Sequence, residues 1–119
     1  MRTLQVVLLA GGWLLSGATT VWAHHSFSAE YDSDRPVTLK GIVSKLSWKN
    51  PHVTFVLSAK SSEGKVTNWE VEMGSPNLLL SQGWTVSSIR NGDEVMVEGF
   101  RARNGANIAS AKKVTLEPH

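Results

Sequence analysis

Between residues 37 and 116 the apolar side chains of this chain fall mostly at every second position, with an interruption after residue 75. That period lines them along one face of extended strands, so the core must be built from sheet with a wet outer side. Val37 and Leu39 open the pattern on one face. After Gly41 the phase shifts by one residue, and Ile42, Leu46 and Trp48 take it up. In a straight strand such a slip would turn the whole apolar set outward. The slip therefore predicts a bulge or sharp coil at Gly41, which lets one long strand serve two sheet faces.

The turn residues divide the remaining alternation. Lys49, Asn50 and Pro51 form a turn, because proline has no N–H to give a ladder and asparagine tolerates tight backbone. A second strand then puts Val53, Phe55 and Leu57 inside, with His52, Thr54 and Val56 outside. Residues 61–64 are a polar hairpin loop, and the third strand turns Trp69, Val71 and Met73 inward, with Asn68, Glu70 and Glu72 on its polar side. Ser75 suits an N-cap, Pro76 the first helical position and Gly83 the C-terminal stop, so a helix of about two turns is predicted between them. Asn91, Gly92 and Asp93 turn the chain into a fourth strand carrying Val95, Val97 and Gly99; residues 103–106 form another hairpin loop, and residues 108–116 a fifth strand. Residues 24–36 have no period and read as an extended arm. The fold class is thus all-β with one short helix. Three strands, a helix and two strands, with a long glycine-bent first strand, is the order of a five-stranded OB-like barrel. Residues 89–99 also look like the entry to the fourth strand of that fold. A different half-open barrel or a sandwich is the alternative.

Ahead of the barrel, Arg2 precedes an apolar stretch over residues 4–15, and small and polar residues follow, ending in Val21, Trp22 and Ala23. This is the pattern of a cleavable signal peptide over residues 1–23. The apolar stretch is a dozen residues, whereas a bilayer span takes about 20. Ser16, Gly17 and Ala18 make a competing cleavage site. Removing 23 of 119 residues leaves 96, enough for one small domain over residues 37–119 behind its arm. There is no cysteine, so a periplasmic or secreted domain would have to hold by its core without disulfides. Arg2 is the leader's only charge, so the mature chain carries 11 Lys and Arg against 10 Asp and Glu, net +1. Charges this balanced make no basic stripe, and nucleic acid is excluded as a partner on that ground. After cleavage no membrane attachment is expected either.

Four short motifs occur together: His24-His25-Ser26-Phe27, Trp48-Lys49-Asn50-Pro51-His52, Gly74-Ser75-Pro76-Asn77 and Gly83-Trp84-Thr85. In combination they resemble an uncharacterised family of small exported bacterial proteins, domain-of-unknown-function family 6152, over essentially the whole mature chain. The resemblance implies export and a small β-rich domain. It implies no activity and assigns no functional residues.

The chemistry is concentrated in histidine. Cleavage after Ala23 would give His24 a free α-amine beside its imidazole. An amine titrates at about 8 and an imidazole at about 6.5, so both are available to a metal around neutrality. Together they can close a chelate ring on Cu(II), which leads the divalent affinity series and favours planar nitrogen sites. His52 is the candidate second donor opposite, giving a histidine-brace-like site. His25 offers a competing local mode through the amine, the intervening amide nitrogen and its own ring. Against a metal role stands the simple reading of solvated arm histidines, with His52 bonded to backbone at its turn. Trp48, Asn50 and Arg103 are candidate ligand contacts, since the loops after the first and fourth strands border the usual OB ligand surface. Trp69 reads as core, and Trp48 and Trp84 also have packing roles open to them. Met73 and Met96 are soft donors suited to Cu(I), but lie on opposite faces of different strands and read as gap-fillers. Glu70 and Glu72 share a strand face, which alternation alone explains. No cysteine nucleophile, nucleophile elbow, phosphate loop or His-Glu-x-x-His helix is present, so catalytic residues are not assigned.

These features point to an exported, non-enzymatic binding module with copper as candidate cofactor at His24, His25 and His52. Its partner is then a metal ion or a periplasmic protein. Two alternatives are a periplasmic protein-interaction subunit without metal, and a copper-dependent oxidase using the brace. Mass spectrometry of the exported protein is expected to find a chain beginning at His24. A start at Thr19, or an intact leader, would remove the bidentate terminus.

Overall fold

A computed structural model describes Phe27 and residues 29–118; the predicted leader, His24 and His25 lie outside the described residues. The strands are β1 (Tyr31–Ser47), β2 (Thr54–Lys60), β3 (Val66–Glu72), β4 (Glu94–Ala102) and β5 (Ile108–Leu116), with a short helix α1 (Pro76–Ser81) between β3 and β4. They close into one barrel in the order β1-β2-β3-β5-β4. β4 returns to pair with β1. All neighbours are antiparallel except β3 and β5, whose short parallel seam joins residues 70–72 to residues 108–110. This is the expected all-β, OB-like architecture with one helix.

The closure depends on β1. Its first part pairs with β4 and its second part with β2, and Gly41 and Ile42 pair with both. A Cβ at Gly41 would collide with the Ser58 carbonyl across the β2 ladder, so only glycine lets the strand coil this tightly. The coil expected at Gly41 is therefore present, but the phase slip is elsewhere. Val37 and Leu39 are half-buried, and Val43 continues their face into the core at 1% exposure, whereas Ile42 is 44% exposed. The register breaks between Ser44 and Ser47, around Lys45, which holds φ 50°. One extra residue on β1 makes this a bulge, and after it Leu46 and Trp48 pack on the core. An empty glycine position imitated a break in the alternation. Gly99 forms a second corner: its missing Cβ makes room for the Ser110 carbonyl, beside a register shift between Glu98 and Gly99.

The start of β1 also departs from expectation. Phe27, Ala29 and Glu30 are helical and β1 begins at Tyr31, so residues 31–36 of the predicted extended arm belong to the first strand of the barrel. Tyr31 pairs with Ala102, and the register shifts before Pro36 pairs with Phe100. The intervening residues loop out, with Asp32 Oδ1 accepting from the Asp34 amide at 2.9 Å. That excursion hides the strand's first pairing from any period-two reading.

The interior is filled by alternate residues as the sequence required. Phe55 and Leu57 from β2, Val71 from β3, and Val95 and Val97 from β4 are at most 2% exposed. Helix α1 is capped by Ser75, whose side chain accepts from the Leu78 amide at 3.2 Å, and it stops at Gly83, which has φ 95°. It buries Leu79, and Ile89 from the following turns is fully buried beside the same core. Among the described residues no helix is long and apolar enough to cross a membrane.

Gly41→Ala is expected to lower the unfolding free energy by about 3 kcal/mol, because the clash is with backbone and has no rotamer to relieve it. Lys45→Gly is expected to stay within about 1 kcal/mol of wild type, the relief of positive φ offsetting the added chain entropy. Urea denaturation of both variants measures this. Equal stabilities would show that close approach is not what fixes Gly41.

Candidate functional site

One end of the barrel brings together the β1–β2 loop, the start of β1, the end of β3 and the β4–β5 loop. His52 stands in the first of these loops, one residue past Pro51, whose peptide bond to Asn50 is cis. The next residue, Val53, is fully buried and exchanges two backbone hydrogen bonds with β3 and its extension: its amide donates to the Gly74 carbonyl at 3.0 Å, and its carbonyl accepts from the Met73 amide at 2.8 Å. The backbone beside His52 is thereby fixed, while 47% of its side chain is exposed.

Glu72 is the hub. Its Oε1 lies 2.9 Å from His52 Nδ1, and its Oε2 accepts from Tyr31 Oη at 2.7 Å. A carboxylate has no proton to give, so the contact with the ring requires the proton on Nδ1. In the neutral ring Nε2 then carries the lone pair, and among the described residues it has no hydrogen-bond partner. Tyr31 is 5% exposed, and its carbonyl accepts from Arg103 Nη2 at 3.3 Å. The chain of contacts thus runs from the β4–β5 loop through Tyr31 and Glu72 to His52.

The β4–β5 loop is itself held by Arg101. The Arg101 guanidinium lies 5.0 Å from the centroid of the Trp69 ring and donates to the Ala106 carbonyl, the Gly105 carbonyl and Asn107 Oδ1. Trp69 is 8% exposed, so it anchors this loop from the core.

The predicted site residues are distributed unevenly over this end. His52 is at the hub and Arg103 is tied to it through Tyr31. Trp48 packs against the core cluster, and Asn50 is exposed at the turn; neither has a hydrogen bond to Glu72 or His52 among the described residues. His24 and His25 lie outside the described residues. Met73 is buried in the core and Met96 is half-buried on the other side of β4, away from Val95 and Val97. Sequence reasoning missed Glu72 and Tyr31. Alternation places Glu72 on a solvated strand face, and its contacts show only once the β1–β2 loop and the start of β1 are folded over that face. The one signal available was its place two residues before Gly74, at the end of its strand. Among the described residues no three histidine, cysteine or acidic side chains cluster as a ready metal cage. A groove of about 290 Å³ lined in part by Ser87, Arg90, Asp93 and Glu117 holds none of the predicted site residues.

The architecture is that of a small OB-like barrel. Over residues 10–111 the sequence matches a family of unknown function, DUF6152, and the chain belongs to that family. No curated protein matches the sequence. Among solved structures, the fold is similar to Rim1, a mitochondrial single-stranded DNA binding protein of S. cerevisiae. The TM-score is 0.52 at 13% identity, covering 68% of this chain and 91% of that one. It is also similar to the N-terminal domain of PriB from Thermoanaerobacter tencongensis, with a TM-score of 0.54 at 20% identity, covering 73% of this chain and all of that one. These likenesses carry the fold. They also correct the exclusion of nucleic acid as a partner. A single-stranded DNA binding protein shares this barrel, and net charge averaged over a chain does not report where its cations lie.

Arg101→Ala is expected to cost about 2 kcal/mol, since it removes a charged donor from three loop acceptors and a cation from the Trp69 face. It should also speed amide hydrogen exchange at Gly105, whose N–H donates to the Ala102 carbonyl at 3.0 Å. Unchanged exchange at Gly105 would separate Arg101 from the order of the loop.

Proposed function

We propose that the mature chain is an exported, non-enzymatic binding module that presents the His52 imidazole at the barrel end, with Cu(II) as the ion it takes. The observation that supports this is the Glu72 carboxylate at 2.9 Å from His52 Nδ1. Histidines that ligate metals almost always give their other ring N–H to a carboxylate, carbonyl or water, which fixes the ring and raises the basicity of the ligating nitrogen. Here the ring is oriented in that way and nearly half of the side chain is exposed. One imidazole is too few donors to hold Cu(II). On the sequence argument, the remaining nitrogens come from the mature terminus at His24 and His25. Copper suits such a set because imidazole and amine nitrogens are its preferred ligands.

Cu(II) titration of the mature chain tests this against His52→Ala and against a variant carrying His24→Ala with His25→Ala. The His52 change is expected to weaken binding at least about tenfold, on the scale seen when even a supporting residue of a metal site is removed. The terminal variant should weaken it further. Affinity unchanged by His52→Ala would leave only the local mode of the N-terminus and sink the barrel-end site. A labelled single-stranded oligonucleotide serves as the competing ligand in the same series. Oligonucleotide binding unaffected by copper and by His52→Ala would point to a different function for the barrel.

A further inference from the structure

We infer that Tyr31 and Glu72 are positioning residues that hold His52 as the Nδ1–H tautomer, so that the Nε2 lone pair is the group offered to a ligand. The inference deepens the binding-module reading and rests on it only for the identity of the ligand. A free imidazole ordinarily prefers the opposite tautomer, with its proton on Nε2. Reversing that preference needs an acceptor fixed at Nδ1, and Glu72 Oε1 supplies one at 2.9 Å.

A glutamate side chain at the end of a strand is not fixed by itself. Its carboxyl rotates readily about its last bond, and 27% of this side chain is exposed. Tyr31 removes that freedom by engaging the other oxygen, Oε2, at 2.7 Å, a short charge-assisted bond. With one oxygen held, the other is aimed at the ring. Tyr31 can do this because its own place is fixed from two sides: it is 5% exposed and paired with Ala102, and its carbonyl accepts from Arg103. The three side chains come from separate parts of the chain, residues 31, 52 and 72, so no local turn preference explains their meeting. A carboxylate needed only for a polar strand face would require neither partner, as its neighbour Glu70 on the same face illustrates by remaining exposed.

The test is read on the ¹⁵N-labelled mature chain without metal, at a pH above which the ring ¹⁵N shifts no longer change. Long-range ¹H–¹⁵N correlation spectra distinguish the protonated from the unprotonated ring nitrogen, and a His52→Gln sample assigns the His52 signals. In wild type, Nδ1 is expected to carry the proton. Tyr31→Phe keeps the ring and its packing but deletes the hydroxyl; it should shift the His52 signals toward the Nε2–H form and weaken Cu(II) binding roughly tenfold. Glu72→Leu removes the acceptor altogether and should complete the shift. Amide spectra of each variant confirm the fold. A Tyr31→Phe protein that is folded and keeps the wild-type tautomer overturns the inference, as does a wild-type ring found in the Nε2–H form. If Tyr31→Phe does not fold, an unshifted tautomer in Glu72→Leu overturns it equally. If the tautomer moves as expected while no variant alters Cu(II) affinity, the positioning role stands and the copper reading fails.

Discussion

The barrel exists because one strand can be the neighbour of two others. β1 must leave β4 and join β2 within a few residues, and at Gly41 it pairs with both at once. At Gly41 the ladder to β2 brings backbone closer to backbone than a side chain permits, and the Ser58 carbonyl occupies the place of the missing Cβ. Everything on the closed side follows from that approach. β2 and β3 can then stack their alternate residues against β4, and Gly99 repeats the device where β4 bends against β5. The short parallel seam between β3 and β5 completes the ring with only three pairs. Closure is the means by which a small sheet removes its edges.

The bend has a consequence at the barrel end. Coiling β1 around two partners leaves its first residue, Tyr31, beside the tip of β4 and its last residues beside the loop that carries His52. Glu72 lies between them at the end of β3. A carboxylate with two oxygens is suited to join two donors that arrive from different directions, and here each oxygen has one. The site is built from residues that individually have ordinary structural explanations: a turn histidine, a polar strand face and a strand-start tyrosine. Arg101, meanwhile, spends its cation on Trp69 and on three acceptors of the neighbouring loop, which steadies the loop that carries Arg103.

Fold likeness and surface chemistry give different kinds of information about such a barrel. Membership of DUF6152 and the likeness to Rim1 and PriB define the scaffold, and the same scaffold hosts unrelated functions because ligands meet the side chains on it. A near-neutral total charge is likewise a sum that cancels local excess. What the structure adds is the orientation of His52 against Glu72, which neither the scaffold nor the charge sum contains.

By itself the sequence determined the strand count, their order along the chain, the capped helix and much of the core. Those features are set by alternation, caps and turn residues, which act within a few residues along the chain and so leave a local record. Val53, Phe55, Leu57, Trp69 and Val71 were all legible in that way. The sequence misled where a local record was ambiguous. Gly41 looked like a change of phase because it has no side chain to count, while the bulge at Lys45 carried no turn residue to announce it. Only the tertiary structure decided that Ile42 faces water and Val43 faces the core, and that the first strand starts at Tyr31. It alone placed Tyr31, His52 and Glu72 on one carboxylate. Contacts between residues 20 or 40 positions apart depend on how strands are registered around the barrel, and register is a property of the closed sheet that no single segment specifies.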